Sequence, residues 1–68
     1  MSVAEKIRHY RLKENLMQKE LAEKLDVSTA CISSWEVGRT EPSLELLKRI
    51  RDFFAVTYDD LLNERSES

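Results

Sequence analysis

The chain has 68 residues, 11 Lys and Arg against 13 Asp and Glu, a net charge of −2 and a single cysteine. That length suits one small domain with one core, and one cysteine beside one histidine excludes both an internal disulfide framework and a zinc cluster. No apolar run approaches a membrane span, the N-terminus lacks a signal-peptide core, and the mild acidity argues weakly against a nucleic-acid partner.

The charge is unevenly placed. Residues 1–40 carry seven Lys and Arg against six Asp and Glu, whereas residues 41–68 carry four against seven. The acidic excess therefore belongs to the C-terminal part, ending in Asp59, Asp60, Glu64 and Glu67.

Ser2-Val3-Ala4-Glu5 has the pattern of a capping box, in which the Ser hydroxyl and the Glu carboxylate each accept from the other residue's amide. Apolar Val3, Ile7, Tyr10 and Leu16 then predict a first helix ending near residues 13–15. Leu21, Ala22 and Leu25 share one face of a two-turn second helix over residues 18–25. Ser28 suits the N-cap of a third helix running to Val37, which Gly38 ends in the left-handed conformation. Pro42-Ser43 opens a fourth, with Leu44, Leu47, Ile50 and Phe54 as its buried stripe. Thr57-Tyr58-Asp59-Asp60 caps a last short helix carrying Leu61 and Leu62. Nothing has the alternation of a strand, so the fold class is all-α.

The third helix has an unusual outer surface. At about 100° per residue, Ser28, Cys31, Ile32 and Trp35 fall on one side, and Thr29, Ala30, Ser33, Ser34 and Val37 on the other. A solvated face in so charged a chain ordinarily carries Lys or Glu. A face of short uncharged side chains suits close approach to another surface, or is simply a weak helix.

Gln18-Lys19-Glu20-Leu21-Ala22-Glu23-Lys24-Leu25, Val27-Ser28, Ile32-Ser33-Ser34-Trp35-Glu36-Val37-Gly38-Arg39 and Pro42-Ser43-Leu44 follow one another in a recognisable order. The succession resembles the Cro/repressor-type (lambda-repressor-like, XRE) helix-turn-helix DNA-binding family over residues 3–62. The resemblance implies a compact five-helix domain whose second and third helices form the helix-turn-helix, with the third in the major groove and dimers spanning half-sites about one DNA turn apart. Carried onto this chain, Thr29, Ala30, Ser33 and Ser34 match base-facing positions. Gln18, Lys19, Ser28, Arg39 and Thr40 match positions that contact phosphates. Arg11 and Glu36 match a structural pair joining the first helix to the third, and Val56 and Thr57 match the dimer contact. The domain is expected over residues 1–63, with 64–68 a disordered tail.

Several positions depart from the family pattern. Asn15, Asp26 and Ala55 stand at turns often given to Gly, and Ala55 is the least suited to a left-handed backbone. Met17 replaces a usual Ser cap, so that cap is lost or supplied by another group. Glu41 puts an acid near the expected DNA backbone. The base-facing set contains no Arg, Asn or Gln, the side chains that grip guanine and adenine with two bonds. Modest direct readout is therefore expected, with DNA shape and water contributing.

Plainer roles fit other residues. Trp35 is core rather than a stacking platform, and the Phe53-Phe54-Ala55-Val56 segment is mostly core. Cys31, in a helix's first turn, packs inward rather than acting as a redox switch, and His9 is solvated rather than a ligand. With one His and no Gly-rich phosphate loop, no enzyme, cofactor or small-molecule ligand is expected. The function implied is a DNA-binding transcriptional regulator, a repressor binding a palindromic operator in double-stranded DNA as a homodimer. It would be a bacterial or phage-encoded protein of the cytoplasm, nucleoid-associated when bound to DNA, with no membrane partner. The alternative is a protein-interaction module, of antirepressor or antitoxin type, on the same scaffold.

Overall fold

Local capping chemistry sets the helix boundaries. The computed structural model describes residues 2–62, which form α1 (Val3–Lys13), α2 (Gln18–Leu25), α3 (Thr29–Glu36), α4 (Leu44–Phe54) and α5 (Tyr58–Leu62). Among the described residues there is no strand, and the tail expected at 64–68 lies outside them. Ser2, Ser28 and Ser43 each accept a hydrogen bond at their helix start, from the amides of Glu5, Cys31 and Leu46. Thr57 and Asp60 satisfy each other's amides at the start of α5. At α2, Met17 has no accepting side chain, and only the reverse half of a box remains, its amide donating to Glu20 Oε1 at 2.8 Å.

Four helix exits share one construction. Asn15, Asp26, Gly38 and Ala55 all have φ between 58° and 79°. The residue after each sends its amide back to a carbonyl five positions earlier: Leu16 to Arg11, Val27 to Ala22, Arg39 to Ser34 and Val56 to Arg51. These bonds satisfy carbonyls that a helix end would otherwise leave open.

Each helix then contributes one fully buried aliphatic side chain: Ile7, Leu21, Ile32, Ile50 and Leu61. Burial of such a side chain contributes about 1.5–3 kcal/mol, so the core holds all five helices together. Ala22, Leu25, Trp35 and Leu47 complete it, and Trp35 is core as expected. Helix α3 packs against both α1 and α2, while α4 packs on α2 and α5 on α1.

Four expectations are corrected. Leu44 is 81% exposed, because it occupies the first position of α4, one turn beyond buried Leu47; half-buried Leu46 joins the stripe instead. Phe53 is 38% exposed, and of the two phenylalanines only Phe54 leans on the core, with its ring 5.6 Å from that of Tyr10. Ser28 is exposed rather than inward, since its extended N-cap backbone removes it from the helical wheel. Val37 is the C-cap of α3, one residue past its last helical position.

Candidate nucleic-acid interface

The packing of α2 and α3 gathers the predicted site residues. After Asp26 turns the chain in the left-handed conformation, Val27 anchors the turn on the core and Ser28 starts α3. Thr29 and Ala30 are exposed at its first turn, and Ser33 and Ser34 are half-buried one turn further on. Cys31, between them, leans on the core. The face opposite the core thus carries hydroxyl and methyl groups without charge.

Beyond Gly38 the chain turns back on α3, with the amides of both Arg39 and Thr40 donating to Ser34 O, at 2.9 and 3.4 Å. That leaves both side chains exposed beside the α3 exit. Glu41 is exposed next to them, whereas Pro42 is buried and pins the loop before α4. Lys19 is exposed in the first turn of α2. Because Met17 offers no side-chain acceptor there, first-turn amides of α2 lack the partner that a Ser cap would provide. An uncapped helix start of this kind suits an external anion.

Gln18 is built into the site more firmly than its sequence neighbours suggest. Arg11 donates from Nε and Nη2 to the two Glu36 carboxylate oxygens, at 2.6 and 3.0 Å, and from Nη1 to Leu16 O at 2.7 Å. Gln18 Nε2 donates to Glu36 Oε1 at 3.0 Å. One carboxylate therefore ties the end of α1, the start of α2 and the end of α3 together. The Arg11–Glu36 pair has nearly buried side chains, so its mutual attraction escapes most solvent screening.

A family model described as helix-turn-helix matches residues 7–61 of the chain. The chain belongs to the Cro/C1-type (XRE) helix-turn-helix family. Within the family, it is 48% identical over 63 residues to the HTH-type transcriptional activator BcrR of Enterococcus faecalis, a match covering 93% of this chain and 31% of BcrR. It thus spans about a third of that relative's length. It is 43% identical over 56 residues to the HTH-type transcriptional regulator MJ0272 of Methanocaldococcus jannaschii, covering 82% of this chain and 85% of the relative. Among solved structures, the P22 c2 repressor in complex with synthetic operator 9T is similar with a TM-score of 0.86 at 33% identity, covering 93% of this chain and 96% of that one.

The remaining site residues lie elsewhere. Val56 is half-buried against the core, and Thr57 is exposed with its hydroxyl used to cap α5. Beside them, Arg51 lies over the Tyr58 ring at 4.6 Å and pairs with Asp52 at 2.9 Å. Two features carried no sequence signal. Lys6 is buried on α1, its ammonium donating to Asp60 O of α5. Gln18 and Glu36 meet although they lie on different helices, so no helical period relates them.

Proposed function

We propose that the chain is a DNA-binding transcriptional regulator that places α3 in the major groove of double-stranded DNA and binds a palindromic operator as a homodimer. The observation that carries this reading is the uncharged outer face of α3, flanked by the uncapped start of α2 and exposed Arg39. Thr29, Ala30, Ser33 and Ser34 face base edges, where hydroxyls make single hydrogen bonds and methyls meet thymine. Gln18, Lys19, Ser28, Arg39 and Thr40 contact phosphates and set the register. Arg11 and Glu36 hold the frame, and Val56 and Thr57 lie at the dimer contact. Specificity then draws on DNA shape and water as well as on bases.

The regulator acts as a repressor when its operator overlaps a promoter, because bound protein and polymerase exclude each other. The similarity to both an activator and a repressor fits a module whose regulatory sign depends on where it is bound. The test is selection of bound DNA from a random library at several salt concentrations, with sedimentation to read the stoichiometry. Enrichment of a two-fold symmetric site, loss of binding in Gln18→Glu/Arg39→Glu, and two chains per site are expected. A slope of log affinity against log salt near zero removes the phosphate-contact model. DNA binding that survives the double substitution does the same.

A further inference from the structure

We propose that Glu36 is the positioning residue for Gln18: its acceptor-only carboxylate fixes the carboxamide with Nε2 toward Glu36, which sets where the second Nε2 hydrogen meets a DNA phosphate. The inference rests on the DNA-binding reading above and names a role for Glu36 beyond joining α3 to α1.

The argument begins with donor and acceptor inventory. A carboxamide has two N–H donors on one side and an acceptor oxygen on the other, whereas an ionised carboxylate has acceptors alone. Gln18 can therefore face Glu36 only through Nε2, as observed at 3.0 Å. Turned by half a rotation, the amide would set its oxygen against Glu36 Oε1, two acceptors with no proton between them. The Glu36 side chain is 4% exposed, so water is poorly placed to relieve that conflict.

Arg11 keeps the carboxylate in place and offsets its charge. Its bidentate grip occupies both Glu36 oxygens, and its third bond, to Leu16 O, ties the guanidinium to the α1–α2 turn. The pair carries no net charge, so an approaching phosphate meets a locally neutral group. With one Nε2 hydrogen committed to Glu36, the other remains for an acceptor outside the protein. The start of α2 supplies that acceptor with further amides, since Met17 leaves them uncapped. A glutamine held in its bound orientation also loses less rotamer freedom when DNA arrives.

The test combines a double-mutant cycle with a measurement that needs no DNA. Affinity for the selected operator duplex is measured for the full chain, Glu36→Gln, Gln18→Met and the double variant. A glutamine at 36 can turn either an oxygen or an N–H toward residue 18, so the selection disappears. Each single substitution is expected to weaken binding by about tenfold, the order of one hydrogen bond to a charged group. The double variant is expected to bind no worse than Gln18→Met. Losses that multiply in the double variant overturn the positioning role.

In the free protein, one of the two Gln18 Hε2 protons is expected to exchange with water more slowly than in a solvated carboxamide, and to lose that protection in Glu36→Gln. A Gln18 carboxamide whose two protons both exchange as fast as a solvated one in the unsubstituted chain overturns the proposal, including the case in which Glu36→Gln does not fold. If the unsubstituted chain binds no selected DNA, the regulator reading fails and this inference falls with it. If it binds and the losses multiply, only this inference falls.

Discussion

The helix exits at Asp26 and Gly38 have the same backbone and serve different ends. Each has a left-handed residue followed by an amide bonded five positions back. After Asp26 comes Val27, which packs on the core; after Gly38 comes Arg39, which stays in solvent. The exits at Asn15 and Ala55 follow the first pattern, with Leu16 and Val56 leaning inward. At the α3 exit the apolar anchor is replaced by a charged one, Glu36 held by Arg11. The same turn can thus anchor packing or free a cation for a partner, depending on one side chain.

The largest test of this contrast is Arg11→Ala. It leaves the buried Glu36 carboxylate without its partner and is expected to cost about 3–5 kcal/mol in a urea titration. An effect under 1 kcal/mol would show that the α3 exit does not depend on its charged anchor. Next come substitutions that exchange the roles of the two exits. Val27→Ala is expected to cost about 1 kcal/mol of stability by removing buried methyls. Arg39→Ala should change stability by no more than about 0.5 kcal/mol, weaken DNA binding across sequences and lower the salt slope by about one.

The backbone itself is probed by a third pair. A Cβ added at Gly38 meets nothing within 4 Å, so Gly38→Ala isolates the conformational cost of a positive φ, about 1 kcal/mol. Ala55 already bears that cost at φ 58°, so Ala55→Gly should stabilise the fold by about 0.5 kcal/mol and raise the melting temperature. Equal responses at the two sites would deny the distinction between a turn given to Gly and one that does without it.

The smallest effect lies at alkaline pH. Burial, and then the charge of Asp60, raise the Tyr10 pKa above 10.0. The folded state therefore keeps this proton to higher pH than the unfolded chain does. The resulting stability is present below pH 10 and lost as pH rises through the folded-state value. Tyr10→Phe should remove that part of the alkaline decline, as followed by circular dichroism.

Much of this architecture is legible in the residues because it is local. Ser2, Ser28 and Ser43 announce helix starts through bonds spanning three residues, and Asn15, Asp26 and Gly38 announce ends through backbone preference. The uncharged outer face of α3 follows from helical period alone. Leu44 is apolar yet exposed, because apolar character marks a candidate for burial, while actual burial depends on how far a neighbouring helix reaches. Lys6 and Pro42 are buried for the same kind of reason, against a hydrophobicity ranking that predicts otherwise.

Sequence alone therefore established five helices, their caps, the turn residues and the face that α3 turns away from the core. These are properties of period and of bonds between near neighbours along the chain. Only the tertiary structure decided that Gln18 meets Glu36 and that Arg11 serves Glu36 and Leu16 O at once. Those contacts join three helix ends separated by up to 25 residues. Their geometry depends on how the helices cross over the shared core, which no local spacing encodes.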